Sequence, residues 1–191
     1  MTSTKSNNNS GSVATTQQDL PSDIEQLAAL LLQSAYTITT AESCTGGLVA
    51  AELTSIAGSS AYFKTGVVSY SNDTKRRVID VPARTLADHG AVSEEVVIAM
   101  AEGARKRDDA NVSLAISGIA GPDGGTPEKP VGTVWIAWSI PVQQRHKLDA
   151  ERFQFTGDRE AIRRSAVEAA LRGTIARLEA VTETTTRNES E

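Results

Sequence analysis

Six consecutive residues, Glu42-Ser43-Cys44-Thr45-Gly46-Gly47, set a carboxylate, two hydroxyls and a thiol ahead of a glycine pair. The β-branched run Tyr36-Thr37-Ile38-Thr39-Thr40 leads into them and Leu48-Val49-Ala50-Ala51-Glu52-Leu53 follows. The cluster is therefore predicted to lie where a strand gives way to a helix. The first turn of a helix has unpaired amides at the positive end of its dipole, which suits an anion. A nucleophile placed there, Ser43 or Cys44, would have its ionised form stabilised. Amides near Thr45, Gly46 and Gly47 could hold a developing oxyanion. The plainer alternatives are that Ser43 or Thr45 only caps the helix and that Cys44 is a small buried hydrophobe. The spacing matches neither a phosphate loop ending in Gly-Lys-Ser/Thr nor the spaced glycines of dinucleotide binders.

A serine nucleophile needs a base. Tyr70-Ser71-Asn72 closes the strand-like run Thr65–Tyr70, and Lys75 follows at the start of a predicted helix. A lysine desolvated at a strand end can lose its proton and act as that base, with Tyr70 orienting or relaying. Against this, Lys75-Arg76-Arg77 reads equally as a solvated charge run. Lys64 is a rival lysine but looks like an exposed residue ahead of a strand. The histidines, His89 and His146, stand in a helix-cap context and a polar hairpin-like segment, so serine–lysine is the most economical pairing. A third feature, Ser117–Gly125, follows the buried-type strand Val112–Ile116. Its glycines, Gly118, Gly121 and Gly124 among them, suggest backbone brought close to a ligand at a strand's carboxyl end. Asp123 in this loop could orient a lysine or a substrate hydroxyl.

The elements that must position these groups alternate. An amphipathic helix is predicted from Leu20-Pro21-Ser22, where Ser22 and Glu25 have capping-box spacing. A strand from Tyr36, a helix from Leu48 to Ile56 and the strand Thr65–Tyr70 follow. Two short helices near Arg77–Ile79 and Thr85–Asp88 precede a longer one capped by Ser93. After the glycine loop, the strand Gly132–Ile140 is expected to stop at Pro141 and to pair antiparallel with Glu151–Phe155. The last helix, opening at Gly157-Asp158, stacks Ile162, Ala166, Ala170, Thr174 and Leu178 on one stripe. The pattern predicts an α/β domain over residues 20–180 with a largely buried sheet. It does not give the strand order. Polar, Ser/Thr/Asn-rich tails are expected at 1–19 and 181–191.

Bulk properties narrow the function. The 191 residues suit one domain; 39% are hydrophobic and 23% charged. With 4% aromatics and a net charge of −5, general affinity for DNA or anionic membrane is not expected. One cysteine and two histidines leave no internal disulfide, no thiolate zinc site and no histidine-rich metal site within one chain. No apolar run is long enough to span a bilayer and no apolar signal core opens the chain, which points to the cytoplasm.

Taken in order, Thr40–Gly47, IAGSSAYF, GVVSYSNDTK, HGAVS, SGIAGPDGG with KPVGTVW, and FTGDREAIR resemble the CinA C-terminal domain family, whose stand-alone members are nicotinamide-nucleotide amidases. The resemblance covers residues from about Leu20 to Leu178. It implies a three-layer α/β/α sandwich around a mixed sheet and a homo-oligomer. It also implies hydrolysis of the carboxamide of nicotinamide mononucleotide, without metal or cofactor. In that reading Ser43 attacks, Lys75 is the base and Tyr70 orients. Glu42, Cys44, Thr45, Gly46 and Gly47 line the substrate, with amides holding the oxyanion or the 5′-phosphate. The loop from Gly118 to Gly125 closes round the nucleotide, and Arg163 or Arg159 meets the phosphate. The alternative is a nucleotide-binding regulatory module, tied to competence or DNA damage, that acts through protein partners.

Overall fold

The computed structural model describes residues 20–188; the tail predicted at 1–19 lies outside them. The elements run α1 (Leu20–Gln33), β1 (Ile38–Glu42), α2 (Leu48–Leu53), a 3-10 turn at Ser59–Ala61, β2 (Phe63–Val68), α3 (Asn72–Ile79), α4 (Ala83–His89), α5 (Glu94–Asp108), β3 (Val112–Gly118), β4 (Thr133–Val142), β5 (Arg145–Gln154) and α6 (Arg159–Asn188). The sheet has the order β2-β1-β3-β4-β5. β1 is parallel to both β2 and β3, whereas β3–β4 and β4–β5 are antiparallel. It is therefore a mixed sheet, and helices cover both faces.

Alternation along the strands explains the two helical layers. Val112, Leu114 and Ile116 point to one face, where they join Leu27 and Leu31 of α1 and Ile162, Ala170 and Leu171 of α6. On the other face α5 lies over a row of alanines in register, Ala41↔Ala115↔Ala137↔Ala150. Small side chains there let the helix approach closely; the Ser113 hydroxyl donates to the Ala101 carbonyl of α5 at 2.6 Å. β1 is wholly buried, as expected for a strand covered on both faces. The predicted stripe of the last helix is buried at all five positions.

Several boundaries differ from the sequence expectation. α1 begins at Leu20, so Ser22 lies inside the first turn. α2 ends at Leu53, short of Ile56. The weakly patterned helices are both present, because Ser71 caps α3 by accepting from the Thr74 amide at 3.0 Å and Pro82 opens α4. β4 runs through Pro141 to Val142. Pro141 lies past Ser139, the last β4 residue paired with β3, so its missing amide costs no ladder bond. α6 continues through the polar segment after residue 180 to Asn188; once nucleated, a helix extends at little cost per residue.

Candidate active site

β1 is where the strand order changes direction: β2 lies on one side and β3 on the other. Ligands in open α/β sheets bind at the carboxyl ends of the strands flanking such a point. Ser43 is the first residue past β1, and its amide donates to the Ile116 carbonyl of β3 at 3.0 Å. From the β2 side, the Ser69 amide donates to the Glu42 carbonyl at 2.8 Å. The chain then turns sharply at Gly46 and Gly47, whose φ angles of 62° and 96° favour residues without a Cβ.

Lys75 comes to the serine from the next element. The Ser71 cap starts α3 so that Lys75 lies one turn in and faces the strand ends. Its Nζ is 3.1 Å from Ser43 Oγ and donates to the carbonyls of Ser69 at 2.6 Å and Tyr70 at 3.5 Å. The side chain is 1% exposed, and burial pushes its amine down from 10.5 to about 8. Once Lys75 is neutral, its two N–H groups meet the two carbonyls and its lone pair is left for the serine hydroxyl. Cys44 behaves oppositely. It packs in the core, and burial pushes its thiol up to about 11, so it is a poor nucleophile. Lys64 is remote in role: its Nζ donates to the carbonyls of Asp108 and Asp109 at the end of α5.

The amides of the turn are not all free for a ligand, contrary to the sequence expectation. The Glu42 carboxylate accepts from the amides of Gly47, Val49 and Ala50, and the Gly46 amide donates to the Ser43 carbonyl. Of the three amides proposed for an anion, Thr45's is the one without an internal acceptor among the described residues. The Thr45 hydroxyl is likewise buried and unpartnered. Glu42, expected among the substrate-lining groups, is a buried cap on the start of α2, its carboxylate turned to these amides.

The remaining candidates divide. Arg163 donates from Nε to the Cys44 carbonyl at 3.1 Å and from a terminal nitrogen to that of Thr45 at 2.8 Å, so it clamps the nucleophile turn. Arg159 reaches across the site, donating to the Gly121 carbonyl at 2.7 Å and the Tyr70 hydroxyl at 3.3 Å. Tyr70 is 63% exposed; its carbonyl, not its hydroxyl, faces Lys75. Gly118 ends β3, and an added Cβ there would crowd Val134 and the Thr133 carbonyl. Gly121 is tied to Arg159, while Asp123 and Gly124 are exposed and Asp123 is not a partner of Lys75. A cleft of about 370 Å³ opens beside the turn, lined by Leu48, Glu52, Arg159, Glu160, Arg163 and Arg164 among others. His89 pairs with Glu95 at 3.1 Å and His146 contacts the Asn111 carbonyl; neither approaches Ser43. The Ser69 carbonyl was missed by sequence reasoning, since a backbone acceptor leaves no residue signature.

Comparisons with known proteins give the chain its relatives. The CinA C-terminal domain model matches residues 22–178. A nicotinamide-nucleotide amidohydrolase PncC of Escherichia coli (strain K12) is 52% identical over 82% of this chain and 93% of its own length. A CinA-like protein of Citrifermentans bemidjiense is 53% identical over 73% of this chain but only 33% of its own length; the chain spans about a third of such longer relatives. Among solved structures, a CinA superfamily protein from Klebsiella pneumoniae superposes with a TM-score of 0.80 at 41% identity, covering 85% of this chain and 99% of that one. A competence/damage-inducible protein from Agrobacterium tumefaciens gives 0.81 at 38% identity, over 87% and 99%. With sequence and fold both matching, the chain belongs to the CinA C-terminal domain family.

Proposed function

We infer that this chain hydrolyses the carboxamide of nicotinamide mononucleotide, giving nicotinic acid mononucleotide and ammonia in pyridine nucleotide salvage. The observation that carries the reading is the 3.1 Å approach of the buried Lys75 amine to Ser43 Oγ, supported by the PncC relative that aligns over most of both chains. Ser43 Oγ bonds to the carboxamide carbon as neutral Lys75 takes its proton. The Thr45 amide, which has no internal acceptor among the described residues, is the donor assigned to the oxyanion. As the tetrahedral species collapses, the C–N bond breaks and Lys75 returns the proton to the departing ammonia. Water, deprotonated by Lys75, then cleaves the acyl ester and restores Ser43. Arg159, exposed and hydrogen-bonded here to neutral oxygens, is the arginine best placed to meet a 5′-phosphate; Gly121 and its loop frame the approach.

The reading includes a cytoplasmic homo-oligomer. No helix among the described residues is long and apolar enough to cross a membrane. The deciding experiment incubates purified protein with nicotinamide mononucleotide and assays ammonia and nicotinic acid mononucleotide. Release of both in equal amounts is expected. Nucleotide binding with no ammonia released would turn the reading toward a regulatory module.

A further inference from the structure

Glu42 lies between the two halves of the site and contacts both. Its carboxylate is 1% exposed. One oxygen accepts from the amides of Gly47 at 2.9 Å and Val49 at 3.2 Å, and the other from Ala50 at 2.9 Å. The Thr40 hydroxyl stands 3.5 Å from that second oxygen. The side chain therefore fixes the turn that immediately follows Ser43. The main chain of the same residue fixes the other half: its carbonyl accepts from the Ser69 amide, and the Ser69 carbonyl is the shortest contact of Lys75 Nζ. Charge-assisted bonds to backbone are among the stronger and more directional ones, the more so out of water.

We propose that Glu42 is a positioning residue for the reaction, holding Ser43 Oγ in line with Lys75 through the three amides that its carboxylate receives. A second consequence follows from the same contacts. With its amides bound by an internal carboxylate, the start of α2 is closed to the substrate's anionic group, which must be met by side chains instead. The inference rests on the amidohydrolase reading for its kinetic readout but not for its chemical one.

Glu42→Gln is close to isosteric, but its NH₂ must face amides that now meet oxygen, so the turn should shift while the fold survives. Roughly a 30-fold or greater loss of kcat is expected with KM for nicotinamide mononucleotide, and Kd for nicotinic acid mononucleotide, within about threefold of the parent. Sulfonylation of Ser43 by an aryl sulfonyl fluoride, followed by mass spectrometry, should slow by about tenfold or more for the same geometric reason. Glu42→Asp, which keeps the charge on a shorter stem, should recover part of both rates. A folded Glu42→Gln protein with parental kcat and sulfonylation rate overturns the proposal. So does a parallel loss of kcat, affinity and thermal stability, or failure of both variants to fold, each of which assigns Glu42 to the fold alone. Should the parent release no ammonia, the amidohydrolase reading fails, and Glu42 is still judged by the sulfonylation rates.

Discussion

At the scale of single residues, the adjacent Ser43 and Cys44 separate cleanly by environment. Ser43→Ala should reduce turnover by at least about a thousandfold, whereas Cys44→Ala should keep most of it; ammonia release under saturating substrate measures both. An active Ser43→Ala with an inactive Cys44→Ala would reverse the assignment. Lys75 sets the pH dependence. Its neutral form is the base and its amine sits at about 8, so kcat/KM should rise as pH increases through about 8 and level off above it. The same burial has a stability consequence. Between about 8 and the ordinary 10.5 the unfolded chain holds the proton and the folded one does not. Stability attributable to this group therefore increases over that window, and below it the full penalty stands. Relative to Lys75→Met, the parent should gain roughly 3 kcal/mol as pH is raised across the window, read from urea unfolding at fixed salt. An unchanged difference would mean that the amine is not desolvated.

At the scale of elements, two glycines test which packing contacts matter to chemistry. An added Cβ at Gly103 of α5 would overlap the carbonyl of Ile79, the last residue of α3, and one at Gly173 of α6 would overlap the Trp138 ring on β4. Each substitution to alanine should cost about 1–3 kcal/mol by overpacking. Gly103→Ala pushes on the helix that carries Lys75, so kcat should also drop, by about tenfold. Gly173→Ala should lower Tm alone; equal kcat losses would refute the distinction. These elements were largely legible in the sequence. The cap at Ser93 and the stripe from Ile162 to Leu178 are local signals, and local signals survive folding. What failed was also local in origin. Pro141 looked like a stop because the point where β3 ceases to pair with β4 could not be known, and the amides after Ser43 looked free because a carboxylate five residues before Gly47 had not yet been placed against them.

At the scale of the molecule, the sheet order was the part that no periodicity revealed, and it brings Ser43, Ser69 and Gly118 to one end of three parallel strands. The pairing of Ser43 with Lys75 was readable only by elimination, through the shortage of histidines, and by resemblance. The carbonyl that aims the lysine was not readable at all. Sedimentation velocity should give a mass that is a multiple of the 20.2 kDa chain if the assembly proposed above forms; a single-chain mass at micromolar concentration would remove the oligomer from the reading.

β4 runs against β3, so the Gln143–Gln144 turn joining it to β5 emerges at the pole of the molecule opposite Ser43; the His146 contact with Asn111, ahead of β3, marks that end. Gln144 is exposed, and the native thiol is shut in the core. A cysteine introduced as Gln144→Cys would therefore be the single maleimide-reactive handle. Protein anchored to a support through it would keep its reactive pole facing solution, at the specific activity of the untethered chain.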